Sequence, residues 1–417
     1  MTDMEQGQSR PRRVEPFAGA QRAASYVERD DTEELAQAAE AALAIPAPPA
    51  QEAPPVPPMP PVPPLPVTQH GAPETFAQGG GVPANLEQAL TFHTPEDDLS
   101  ALGTANPDEL STRPAETGLR GFLTRVGIKM QPSAKEVAAR QAEAELRACE
   151  ERIRQATWTR AVSLLVANRK GGVGKTPVSI LLGGIIAAIR GGSVAIMEVA
   201  DDPNRTNFRS EGQPQRGIGQ LLADLDKITS AGQLTGYTAP QTSFASVIGT
   251  VGRRASLSGD DVRAISAVVD QYYEFRVMDS GNQYTSSAFV GAVSVTDVLV
   301  IPFVDAGDAV LDMVELLDEM RALGGEAATL ADNAVLVRVH HSKPAESAED
   351  IAKERQLAQR IERIIANAHV GQVFDIPFDP HIAEKSQITL SKLRPETRAA
   401  FTRAAAGIVQ TLQNTVK

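Results

Sequence analysis

From about residue 159 onward, short apolar runs alternate with longer stretches of helical character. The runs fall at 161–167, 191–199, 274–279, 297–303 and 333–339. Runs this short and this continuously apolar read as strands covered on both faces. Helical composition returns at 178–189, between the first two runs. Strand and helix in alternation predict an α/β domain with a doubly wound, mostly parallel sheet over residues 159–417. One run is imperfect, because Arg276 interrupts 274–279. At the far end, Phe401, Ile408 and Leu412 recur at helical spacing in an alanine-rich stretch. Basic neighbours are scarce there, so the pattern predicts a helix packed on the domain rather than one lying on a membrane.

Before residue 159 the pattern changes. Pro132 and the box Ser133-Ala134-Lys135-Glu136 predict a helix start, with serine and glutamate satisfying each other's orphan backbone donors. The stretch to about residue 156 is rich in good helix formers, and its apolar positions are sparse and small. It reads as an exposed helix or one packed along an edge. Residues 121–130 carry bulky side chains without a clear period, so 119–158 reads as a docking segment followed by a charged helix. Residues 1–118 read as a long disordered tail. Twelve of the 29 prolines lie between 44 and 66, a composition suited to extended polyproline II that buries no core. Residues 1–130 hold eighteen acidic and nine basic side chains, which also argues for disorder. Most of the net charge of −12 therefore belongs to the tail and says little about the folded surface. As a ligand, the proline tract offers a preformed helix to an aromatic-lined groove of a partner; as a spacer it holds a terminal segment away from the domain.

The turn after the first apolar run carries the clearest chemistry. Lys170-Gly171-Gly172-Val173-Gly174-Lys175-Thr176 lies between an expected strand and an expected helix, the context a phosphate-binding loop requires. Glycines allow successive N–H groups to converge on one anion, and the following helix adds its positive end. Lys175 would reach the β- and γ-phosphates, and the Thr176 hydroxyl would hold Mg²⁺. Pro177 follows, where a helix has no intrahelical bond to lose, although one N–H that could face a phosphate is gone. The run at 274–279 ends in Asp279, which a parallel sheet would set beside that loop to hold Mg²⁺ through water.

With its additional Lys170, the heptapeptide resembles the deviant Walker A loop of the ParA/MinD group of P-loop ATPases. The resemblance implies a SIMIBI-like P-loop NTPase fold binding ATP and Mg²⁺, with nucleotide contacts from Gly171, Gly172, Val173, Gly174, Lys175, Thr176 and Pro177. It implies that Lys170 reaches phosphates held by the partner of an ATP-dependent homodimer, so that Lys170 and Lys175 share the catalytic role. The segment Asp201-Asp202-Pro203-Asn204 is a partial match to the group's first switch. Asp202 is the choice for orienting water, with Asp201 and Glu198 as competitors, and an ordinary acidic turn is the bland reading. Asp279 stands at the end of a Walker B-like strand, and 280–284 would be the second switch. Residues 374–379 resemble the late loop bordering the base, which brings in Pro377 and Asp379. The group often has asparagine where Arg338 stands, which puts adenine recognition in doubt.

Relatives also bind DNA non-specifically through their last helices. Lys385, Lys392, Arg394, Arg398 and Arg403 could form such a patch, or simply a mixed helical surface. The order of tail, hydrophobic-basic segment, charged helix and loop resembles actinobacterial MinD/ParA-like proteins associated with type VII secretion. The function implied is slow, partner-activated ATP hydrolysis coupled to positioning DNA or a protein machine. The alternative is a non-hydrolysing scaffold whose proline tail recruits partners.

Several classes are disfavoured. No run of about 18 apolar residues exists to form a transmembrane helix, and the start lacks signal-peptide order. A cytoplasmic protein is expected, nucleoid- or pole-associated if it follows its relatives. Cys149 is the only cysteine, which removes paired-cysteine metal and iron–sulfur chemistry. The adjacent His340 and His341 read as a surface feature.

Overall fold

A computed structural model describes residues 114–116, 120, 122, 124, 126, 130–203 and 206–416. Most of the proline-rich tail, most of 119–129 and Asn204 of the expected first switch lie outside the described residues.

The apolar runs become β1 (Val162–Val166), β2 (Val194–Val199), β5 (Phe275–Ser280), β6 (Val298–Phe303) and β7 (Val335–Val339), joined by β3 (Ala239–Pro240), β4 (Ser246–Ile248) and β8 (Gln372–Ile376). The helices are α1 (Ala134–Gln155), α2 (Lys175–Arg190), α3 (Thr206–Arg209), α4 (Ile218–Ala223), α5 (Ala231–Thr235) and α6 (Gly259–Val269). Beyond these come α7 (Ser287–Val293), α8 (Gly307–Leu323), α9 (Gly325–Asp332), α10 (Ala348–Asn367), α11 (Pro380–Ala383) and α12 (Pro395–Thr415). One sheet runs β3-β4-β2-β5-β1-β6-β7-β8, parallel throughout except for the β3–β4 pair. It is the doubly wound, mostly parallel α/β arrangement that the alternation predicts.

Side chains alternate between two cores, as strand geometry demands. Val162, Leu164 and Val166 of β1 face α1, α2 and α12 with the first core, while Leu165 faces α6, α8 and α10 with the second. Phe401, Ile408 and Leu412 are buried in the first core, so α12 packs on the sheet, as expected. The charged helix α1 joins it: Ile153 is fully buried, and Arg190 at the end of α2 donates to the carbonyls of Ile153 and Ala156 at 2.9 and 2.8 Å. Ser133 caps α1 by accepting from Glu136 N–H at 3.2 Å. The Glu136 carboxylate accepts from Glu116 N–H at 2.7 Å and pairs with Arg140.

Three differences from the expected elements have clear causes. Gly191 and Gly192 do not enter β2, because both have positive φ and cap α2, each donating to Ala187 O. Asp297 stops short of β6 because its Oδ2 accepts from Ser163 N–H at 2.8 Å, joining the start of β1 to the turn before β6. Residues 374–376 belong to β8 rather than to a loop, paired in register with β7; only 377–379 form the turn. Arg276 fits a central strand because its guanidinium meets both carboxylate oxygens of Asp270 at 2.7 and 3.0 Å. No described helix is long and apolar enough to cross a membrane.

In the second core α6 and α7 touch backbone to backbone. A β-carbon on Gly291 would stand 2.4 Å from Gly259 Cα. Gly291→Ala is therefore expected to cost about 1–3 kcal/mol by overpacking, read as a lower urea midpoint. An unchanged midpoint would show that the helices separate freely.

Candidate nucleotide site

The site forms where β1 ends and α2 begins. Asn168 is buried; its Nδ2 donates to Pro302 O at 2.9 Å and its Oδ1 accepts from Lys170 N–H at 2.9 Å, so the loop is hung from β6. Gly172 and Gly174 have φ of 82° and 98°, which only glycine adopts without strain. Gly174 caps α2 with no side-chain bond, so the first-turn N–H groups are left for an anion. Pro177 falls in this first turn, where it displaces no intrahelical bond.

Lys175 is buried, and its ammonium donates to Asn168 O and Lys170 O at 3.0 Å each and to Asn282 Oδ1 at 2.6 Å. Burial lowers its pKa to about 8, against the opposing pull of Asp279. Asp279, at the end of β5 next to β1, is fully buried. Its Oδ2 accepts from Thr176 Oγ1 at 2.7 Å and from Thr206 Oγ1 at 2.8 Å. Burial raises its pKa to about 6; the two hydroxyls and Lys175 pull the other way, while Glu198 adds to the rise. A desolvated cation at the cavity wall and a desolvated carboxylate bonded to the lining residue Thr176 thus lie together at the loop, where a polyphosphate and a divalent cation would find opposite charges. The chemistry of this donor set fits ATP with Mg²⁺.

A cavity of about 630 Å³ opens over the loop. Gly172, Gly174, Lys175, Thr176 and Pro177 line it, with Ser280, Gly281 and Asn282 beside them. Pro377 and Asp379 line it from the β8 side. The Asp379 carboxylate, however, accepts from His381 N–H and Arg394 N–H at 2.9 Å each, capping α11 and anchoring the start of α12. Val173, within the loop, is buried, and Gly171 stands against the Asn282 side chain. The Lys170 ammonium pairs with Asp308 of α8 at 2.5 Å.

The three acids considered for orienting water separate in space. Glu198 is fully buried and paired with Arg254 at 2.9 Å. Asp201 Oδ1 lies 3.5 Å from where a β-carbon on Gly281 would stand, against the cavity wall, whereas Asp202 is exposed.

Other residues join the cavity without having been singled out for it. His340 and His341, read as a surface pair, both line it. A hydrogen bond to Asp375 raises the His340 pKa, while burial lowers that of His341. Their place at the end of β7, beside the phosphate loop, follows from strand order rather than from any local pattern. Arg209 and Phe208 of α3 also line it, and Arg209 Nε has no hydrogen-bond partner among the described residues. Arg338 is turned to the second core, pairing with Glu362 at 2.6 Å, Asp375 at 3.2 Å and Asp305 at 3.3 Å. In the expected basic patch, Lys392, Arg394 and Arg398 are exposed, Lys385 lines the cavity, and Arg403 pairs with Glu145 of α1 at 3.1 Å.

No family model matches the chain. A stretch of 296 residues is 24% identical to the ESX-1 secretion-associated protein EspI of two Mycobacterium tuberculosis strains, covering 69% of this chain and 40% of that protein. The chain thus spans less than half the length of the curated relatives it matches. A ParA family ATPase from Chlorobium tepidum superposes with a TM-score of 0.48 at 11% identity, over 59% of this chain and 98% of its own. The cell division ATPase MinD of Pyrococcus furiosus gives 0.43 at 16% identity, over 60% and 99%. With its parallel sheet order, the loop from Lys170 to Thr176 and Asp279 on the adjoining strand, the domain has a doubly wound P-loop fold.

Proposed function

We propose that the protein binds Mg-ATP, hydrolyses it slowly, dimerises around it and positions DNA or a protein machine. The observation that carries the reading is the Thr176–Asp279 hydrogen bond of 2.7 Å beside the buried ammonium of Lys175. In this reading Lys175 and the α2 N-terminus hold the β- and γ-phosphates, and Thr176 and Asp279 hold the metal. Bound Mg²⁺ would neutralise charge on the phosphoryl oxygens. Asp202 or Asp201 orients the attacking water, and the cavity edge at Pro377 borders the base. Full-length protein should turn over ATP, more slowly without an activating protein or DNA, and Lys175→Ala should not.

A second reading, a non-hydrolysing scaffold, draws support from the exposure of Asp202 and the sequestration of Glu198 by Arg254. Undetectable turnover in wild type and Lys175→Ala, together with nucleotide-independent assembly, would favour it.

The named association of the Mycobacterium tuberculosis relative with ESX-1 secretion supports a secretion apparatus of the type VII class as the machine positioned. The proline-rich tail would recruit a partner with a groove for polyproline II. We place this action in the cytoplasm, at the nucleoid or a pole.

Lys170 gives a separate test of dimer coupling. Its ion pair with Asp308 must open before it can serve a partner's phosphates. Lys170→Ala is expected to remove ATP-dependent dimerisation in light scattering and to lower turnover about 10²-fold, the loss typical of one preorganised donor. Mg-ADP affinity should hardly change. Unchanged dimerisation and turnover would reject the trans-acting role.

A further inference from the structure

The segment between β4 and α6 supplies a residue that no motif above includes. The Arg254 side chain is 3% exposed. Its Nε donates to Thr250 Oγ1 at 2.8 Å. One terminal nitrogen donates to Asp201 O at 2.6 Å and Ala255 O at 3.0 Å. The other meets Ala200 O at 2.7 Å, Asp202 O at 3.0 Å and Glu198 Oε1 at 2.9 Å. Thr250 completes the unit, donating through its N–H and hydroxyl to Glu198 at 3.2 and 2.5 Å.

Three consecutive carbonyls, those of residues 200, 201 and 202, therefore converge on one guanidinium. Successive carbonyls of an extended chain alternate in direction, so this convergence defines a particular bend after β2. A planar fork with five donors can hold such a bend, and a single ammonium cannot. Glu198 fixes the fork in turn, because a buried carboxylate retains its charge partner. At its other end the same loop is tied by Thr206, which donates to Asp279 at 2.8 Å.

We propose that Arg254 is a positioning residue, setting the backbone of residues 200–202 so that the carboxylates of Asp201 and Asp202 are presented to the phosphate loop. This rests on the reading of the site as one that binds and hydrolyses Mg-ATP. Glu198 is then the buried counter-charge of the latch rather than the acid that orients water.

Arg254→Lys in the full-length protein keeps a positive charge against Glu198 but cannot span the three carbonyls. The expected result is a kcat at least tenfold lower, with KM and Mg-ADP affinity within threefold of wild type. Amide exchange in the peptide covering 199–203 should be at least tenfold faster. A kcat within twofold of wild type, unchanged exchange in that peptide, or an equal loss of Mg-ADP affinity would each overturn the proposal. Should Arg254→Lys fail to fold, Glu198→Gln combined with Arg254→Gln removes both charges together and carries the same readouts. If wild type shows no turnover, hydrolysis itself is rejected. The exchange measurement and the preference for a Mg-ATP analogue over Mg-ADP then decide the latch.

Discussion

Lys175→Ala is expected to lower nucleotide affinity and turnover by at least about 10²-fold, as removal of one preorganised charged donor does in phosphate and oxyanion sites. The same substitution should barely disturb folding. Lys175 is held with its charge desolvated, which costs stability in the nucleotide-free protein. Its removal relieves that cost. It also strips the partner from Asn168 O, Lys170 O and Asn282 Oδ1. Lys175 and Asn282 line an open cavity, so truncating the lysine lets water into the space it vacates, where it replaces the ammonium at small cost. The two effects oppose each other, so the melting temperature should move by only a few degrees. Nucleotide titration and thermal melting on the same sample check both halves. Affinity retained within a factor of about three would remove Lys175 from the phosphate site.

Mg-nucleotide affinity is expected to be flat between about pH 6 and pH 8 and to fall on either side. The signs follow from the two shifted groups. In the free protein Asp279 titrates at about 6, and the metal-bound form requires the carboxylate. Below that pH binding must expel a proton, so affinity should drop about tenfold per pH unit. Lys175 titrates at about 8 in the free protein, and phosphate contact requires the ammonium. Above that pH binding must take up a proton, and affinity falls again with the same limiting slope. The two groups interact, so the measured midpoints belong to the pair. A terminal phosphate titrates near 6 as well, which makes Asp279→Asn the control. In that variant the protein's share of the acid limb should vanish, leaving only that of the nucleotide. An acid limb equally steep in both proteins would show that Asp279 does not titrate with the metal.

Both effects concern residues legible from the chain alone, because their signals are local. A glycine-rich turn ending in Lys175 and Thr176 states its own backbone requirement, and positive φ at Gly172 and Gly174 meets it. Asp279 was legible because a short apolar run delivers it to the strand end. Five of the eight strands among the described residues were visible as apolar runs. The three others escaped for physical reasons: β3 and β4 are two and three residues long, and β8 is a half-exposed edge strand without a continuous apolar run.

What the sequence by itself determined is therefore the glycine-rich loop between strand and helix, the strand–helix alternation and the packing stripe of α12. Each depends on neighbours within a few residues or on a fixed period. Only the tertiary structure decided which acid is available, because Glu198 is claimed by Arg254, 56 residues away. Only it decided that His340 and His341 line the cavity over the loop, and that Arg338 is held by Glu362, Asp375 and Asp305. A polar side chain has no intrinsic destination; its role follows from the buried partner that satisfies it. In a parallel sheet, strand order brings that partner from far along the chain.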